Sequence, residues 1–264
     1  MTYLEEKDYI KAAYQALIER GVITEDMLSP STVTDEMLDS FEQEFDVKLP
    51  SILRTYLKTY CHNIYSLRAP VPMDGICGVS NDVMRQIQSM SSKEIKELDE
   101  EERPYLGLWW CQMLPIPKKD PLKYFRDIME GYREIIDYLE DSELTLEDIK
   151  QFVPFADWQG AGALCFDMNR KEENIDLENP DTWQICWFDH EEFNWEEAAY
   201  IDEEGIVTGD KIFPNFESFL NVYFYGIYDK LYDACWEKDG EEQPDKKSWC
   251  EAYSDEAIDV LAEM

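Results

Sequence analysis

The sequence predicts an α+β protein, with one mostly antiparallel sheet of about four to six strands and helices packed on it. Three observations carry that prediction. Helical periodicities come first, at Ile10 to Ile18 and Leu38 to Tyr60. A cluster of short apolar runs follows, and after it a further helical stripe at Phe216 to Leu231. Helices before a group of strands, with a helix after them, fit segregated layers better than an alternating βαβ pattern.

The first helix is expected from a Thr2/Glu5 capping box onward, with Ile10, Ala13, Tyr14, Leu17 and Ile18 at helical spacing and Gly21 as a stop. The Ser29-Pro30-Ser31 break then marks residues 1–30 as an N-terminal extension. Leu38, Phe41 and Phe45 form one stripe; Ile52, Leu53, Tyr56, Leu57 and Tyr60 form the next, with Pro50 suited to a first helical turn. Ile64 to Val71 reads as a strand whose far end, at Pro70 and Pro72, is an edge or a loop.

Residues 80–151 read as an inserted, mostly helical connection. Val83, Ile87 and Met90 suggest one helix, and Lys93 to Glu102 is a charge-dense exposed segment. Leu122, Phe125, Met129, Tyr132, Ile136 and Leu139 form a long stripe, in which Gly131 costs up to about 1 kcal/mol of helix stability relative to Ala. Thr145 with Asp148 starts another short helix running into Phe152.

Ala163 to Met168 and Trp183 to Phe188 read as a hairpin with a wide turn, bounded by Gly160, Gly162, Asn179 and Pro180. Alternation puts Trp183, Ile185 and Trp187 on one face and Gln184, Cys186 and Phe188 on the other. Both faces are apolar, so this strand is expected to be central and Trp187 buried. Ala198 to Asp202 and Ile206 to Thr208 suggest another strand pair around an acidic turn, and Asn215 an N-cap for the helix that follows. A polar break at 238–247 and a last helix around Glu251 to Ala262 complete a C-terminal helical extension, 227–264.

The hydrophobic fraction of 44% and aromatic fraction of 14% suffice for a packed core in 264 residues, so the mean hydropathy of −0.51 reflects a charged surface. One core is expected, spanning the whole chain. Asp and Glu number 59 against 24 Lys and Arg, a net charge of −35. That balance disfavours nucleic acids and anionic membranes, whose binding needs a basic surface, and favours a basic protein partner. Solubility or adaptation to salt explains it equally well. The first residues carry Glu5, Glu6 and Asp8 where a secretory signal would be apolar, and no run is long enough to span a bilayer. The 7 cysteines are odd in number and lack Cys-x-x-Cys spacing, which fits reduced thiols in the cytoplasm.

Catalytic chemistry would start from Cys165, Cys186, His62 or His190. On a straight strand Cys186 and His190 lie about 13 Å apart, too far for a nucleophile and its base. Cys165 can approach His190 from the next strand, but no third group is indicated to orient the imidazole. Asp189-His190-Glu191-Glu192 offers metal ligands whose side chains alternate rather than converge; the helical zinc and EF-hand patterns are absent. Gly160-Ala-Gly162 precedes a strand and lacks the Lys of a phosphate loop. No catalytic, cofactor or metal site is therefore assigned.

The constellation with most binding content runs from Asp189 to Glu204. Asp189, Glu191, Glu192, Glu196, Glu197, Glu203 and Glu204 surround Trp195 without a single Lys or Arg. A solvated acidic loop is one reading. The other is a surface in which Trp195 anchors contact while carboxylates select a basic partner.

Five marks occur in a fixed order: Phe41 to Pro50, Val153 to Ala156, Gly160 to Asp167, Trp187-Phe188-Asp189-His190-Glu191, and Phe216 to Leu220. In this the chain resembles the SUKH superfamily, which includes a yeast cell-wall synthesis regulator and many bacterial immunity proteins. The likeness covers about residues 34–226. It implies an α+β fold and an immunity protein that binds a cognate bacterial toxin, such as a basic nuclease, by stoichiometric occlusion. An intracellular regulatory scaffold is the alternative the same resemblance implies. A hydrolase would require a convergent Cys/His or carboxylate site.

Overall fold

The structure is a computed structural model that describes residues 6–72, 89–91, 93–94, 106–134, 152–158, 160, 162–167, 184–189, 210–233, 245–254 and 257–258. Helix α1, Glu6–Glu19, buries Ile10, Ala13, Tyr14 and Leu17 and ends where Gly21 takes a φ of 74°. Its stripe docks on α3, Ser51–Leu57, so the segment set apart in the sequence as an extension contributes to the main core. Tyr14 lies 5.9 Å from Tyr56 and 5.3 Å from Phe224, ring centre to ring centre. Ser29–Pro30, where a boundary was expected, forms a short strand β1. It pairs antiparallel with β2, Tyr60–Cys61.

Helix α2, Asp35–Phe45, begins on Thr34, whose hydroxyl accepts from the Met37 N–H, and buries Leu38, Phe41 and Phe45 as their spacing predicts. Pro50 serves as the N-cap of α3 rather than within its first turn.

Among the described residues seven strands form one antiparallel sheet, in the order β8-β7-β6-β5-β4-β3-β9. They are β3 Ile64–Pro72, β4 Leu106–Gln112, β5 Phe152–Trp158, β6 Gly162–Asp167, β7 Ile185–Asp189, β8 Asp210–Phe213 and β9 Cys250–Ala252. The α+β class stands, with more strands than the four to six expected. The expected hairpin is β6 and β7, with Cys165 opposite Cys186. Pro70 and Pro72 lie within the β3–β4 pairing, not in a loop. Met113 donates to the Tyr65 carbonyl at 2.8 Å, which turns the odd-numbered residues of β3 toward β4. Both prolines therefore face the other side, beyond Leu67, the last β3 residue paired to β9, and their missing N–H groups cost no ladder bond.

Three expectations need correction. Residues 80–151 are not a purely helical connection, because Leu106–Gln112 is the interior strand β4, between β5 and β3; a short continuous apolar run has no period that separates strand from helix. The helix expected to run from Phe216 through Leu231 stops at Tyr223, since Gly226 has a φ of 61° and a separate helical segment occupies 229–233. The closing helix around Glu251 to Ala262 starts too early: Cys250–Ala252 is an edge strand on β3, and the described helical residues are 257–258. The helix 145–152, the strand pair 198–208, Val83, Ile87 and the Thr2/Glu5 box fall outside the described residues, apart from Phe152, which opens β5.

Trp187 also departs from expectation. Ile185, Cys186 and Phe188 are buried, but Trp187 is half-buried and packs against the core from its margin. Its partner on β8 is Asp210, the first residue of a four-residue edge strand. Helix α4, Lys123–Glu134, packs against β5, with Phe125 stacked on Phe41 at 4.5 Å and Tyr132 near Phe188. Helix α5, Phe216–Tyr223, is capped by Asn215, which accepts from the Ser218 N–H at 2.9 Å. The turn after it is held by Arg20, which donates to the Tyr223 and Phe224 carbonyls (2.7 and 2.8 Å) and pairs with buried Asp229 at 2.9 Å.

Candidate functional site

A cleft of about 380 Å³ lies between α4 and the sheet. Its floor comes from strand register: Gln112 pairs with Asp157 and Asp157 with Ala163, so the three form a row across β4, β5 and β6. Its wall comes from helical spacing. Tyr124, Asp127, Ile128 and Gly131 sit at i, i+3, i+4 and i+7 of α4 and all line the cleft. Tyr65 of β3 and Tyr253, just after β9, close one end.

Three of these residues form an aromatic stack. The Tyr65 and Tyr253 rings are 4.2 Å apart at 24°, and Tyr253 and Tyr124 are 6.1 Å apart at 15°. The Tyr65 hydroxyl donates to Glu251 at 2.7 Å, and that hydrogen bond to a carboxylate raises its pKa. Burial, followed by the neighbouring Tyr253 and Asp127, raises that of Tyr124. Lys123, on the rim, sits 5.9 Å above the Tyr124 ring and 3.4 Å from Asp127.

Glycine shapes the cleft in two ways. Gly160 has a φ of 69°, and a Cβ there would come within 3.0 Å of the Trp110 ring, so the residue at this turn must lack a side chain. Gly131 has no such constraint: a Cβ at its position would meet nothing within 4 Å. A helix-weakening residue thus sits where the wall of the cleft is open.

The charged residues lining the cleft are Asp127 and Asp157, with no Lys, Arg or His among the described lining. Stacked ring faces beside carboxylates attract a cation, because the ring quadrupole and the formal charges act in the same direction. The thiols nearby are poor nucleophiles: Cys111 and Cys165 are fully buried and desolvation pushes both pKa values well up.

A second cleft, of about 410 Å³, is lined by His62, Asn63, Lys118, Lys119 and Asp26 among others. His62 is 4% exposed and lies 5.7 Å from the Tyr14 ring. Burial lowers its pKa to about 3, so at neutral pH it is an uncharged, weakly basic imidazole. A general base needs a pKa near the working pH, and this one is far below it.

Of the acidic segment, only Asp189 falls among the described residues. It ends β7 opposite Gly162, which also lines the tyrosine cleft. Glu191, Glu192, Trp195, Glu196, Glu197, Glu203 and Glu204 lie outside the described residues, as does His190. Cys165 and Cys186 face each other on buried strands, with the Cys186 thiol 3.7 Å from the Cys165 carbonyl. Among the described residues no group of three metal-ligating side chains occurs and no helix is long and apolar enough to cross a membrane.

Tyr65, Tyr124, Tyr253 and Asp157 carry no motif in the sequence. The one local signal was the second face of α4, Tyr124 to Gly131, which the stronger apolar stripe on its other face obscured. Comparison with protein-family models, curated proteins and solved structures returns no match.

Proposed function

We propose that the chain is an immunity protein that binds a cognate basic toxin, a nuclease being the class that fits best, and neutralises it in the cytoplasm by stoichiometric occlusion. The observation that carries this reading is a tyrosine-lined cleft whose charged residues are both carboxylates, on a chain with a net charge of −35. The ordered motifs that resemble the SUKH superfamily agree with it. Occlusion asks for neither a nucleophile nor a base. It asks for charge complementarity, which raises the encounter rate, and for aromatic anchors, which slow dissociation.

The test starts from the neighbouring gene. If that gene encodes a large secreted protein with a variable C-terminal domain, co-expression of the chain with that domain should restore growth, and the two should co-purify in fixed ratio. Growth arrest that persists at excess of the chain, with no complex, would overturn the proposal.

A further inference from the structure

We infer that the cleft between α4 and the sheet receives an arginine side chain of the bound partner, its guanidinium lying on the Tyr65–Tyr253–Tyr124 stack and facing Asp127 and Asp157. The inference rests on the proposed function for the source of that side chain, and it names a place and a chemistry that the overall charge does not.

The stack presents near-parallel rings, at 24° and 15°, and a planar guanidinium stacks on such a surface in a way that an ammonium does not. Asp127 and Asp157 approach from the helix and from the sheet, so a cation between them meets carboxylates on two sides. A cationic group already uses the outer end of the stack: Lys123 sits over Tyr124. That ion pair with Asp127 is exposed and weak, and does not block the cleft interior.

Gly131 is the observation that separates a binding cleft from a packing gap. Nothing within 4 Å would oppose a side chain there, and Ala would strengthen the helix, so packing gives no reason for Gly. An incoming side chain gives one, since it needs that space against the helix wall. Gly131→Ala should therefore stabilise the fold and weaken binding together, a combination that a purely structural role does not produce.

The experiment uses the full chain, isotopically labelled, and follows the amide resonances of Gly131, Gly160 and Gly162. The probes are N-acetyl-arginine amide, its lysine analogue, and the uncharged citrulline analogue. Saturable shifts at these glycines with arginine, weaker ones with lysine and none with citrulline are expected. Tyr253→Leu should weaken arginine binding about tenfold. Gly131→Ala should raise Tm while weakening binding, and Gly131→Leu should abolish binding in a folded protein. Equal shifts with citrulline, non-saturating shifts spread over the acidic surface, or unaltered binding in Gly131→Leu would overturn the inference. The proposed function is read separately. A toxin domain captured with unchanged affinity by Gly131→Leu would remove the cleft from the interface and leave the immunity reading standing. Arginine binding in the cleft with no capture of the toxin domain would do the reverse.

Discussion

Replacing His62 by Leu should remove an acid sensitivity of folding that the wild-type protein carries. His62 is 4% exposed, packs among Tyr14 and Tyr56, and has no hydrogen-bond partner on either ring nitrogen among the described residues. Burial lowers its pKa from 6.5 to about 3. The unfolded chain therefore binds a proton that the folded chain refuses between these values, and stability falls as pH drops through that window. From pH 7 to pH 5 the difference is about 1.4 pH units of proton binding, or about 2 kcal/mol at 1.36 kcal/mol per unit. Carboxylates titrate in the same range, so the informative quantity is a difference between proteins. Urea unfolding of wild type and His62→Leu at pH 7 and pH 5 should show the wild type losing about 2 kcal/mol more than the variant. Parallel pH profiles would refute the reasoning and place a solvent path or a proton acceptor at His62.

Three further outcomes follow from named contacts. Gly226→Ala forces an L-residue to a φ of 61° and brings its Cβ against Arg20 and within 2.6 Å of Asp229, so urea unfolding should show a loss above roughly 2 kcal/mol; a loss below about 1 kcal/mol would show that the turn relaxes freely. Trp187→Ala should cost roughly 2 kcal/mol, less than the ~3 to 5 kcal/mol for fully buried Phe213→Ala, and equal losses would contradict the marginal position of Trp187. Replacing Glu192, Glu196 and Glu197 together by Lys should slow association with a basic toxin at low salt, with the gap closing as the screening length shrinks, whereas Trp195→Ala should chiefly raise the off-rate. A triple variant that associates as fast as wild type at low salt would exclude the segment from the interface.

What was legible in the sequence is what is local. The strand at Ile185 to Phe188 and the stripe Leu122, Phe125, Met129, Tyr132 are each written within a few residues, and both are present, with Trp187 less buried than its place on the strand suggested. The Asn215 cap was legible for the same reason. Strand β4 was not, because Leu-Gly-Leu-Trp-Trp-Cys carries apolar residues on both faces and shows no period. Gly226 was passed over because the apolar spacing from Phe216 continues across it, and only the backbone conformation shows the break. Of the cleft, only the α4 face from Tyr124 to Gly131 left a local trace. The cleft joins Tyr65, Gln112, Tyr124, Asp157 and Tyr253, which meet through a strand order that no local pattern encodes. Gly131 looked like a defect in a helix until its surroundings were known.

The central claim is stoichiometric neutralisation of a basic partner, and an equivalence-point titration tests it most directly. If the neighbouring gene encodes a toxin domain, its activity would be measured against increasing amounts of the chain, at concentrations well above the Kd. The account predicts a linear fall to zero at a fixed molar ratio, unchanged in Cys165→Ser and Cys186→Ser. Loss of toxin activity that continues with time at substoichiometric protein, and disappears in either variant, would contradict it.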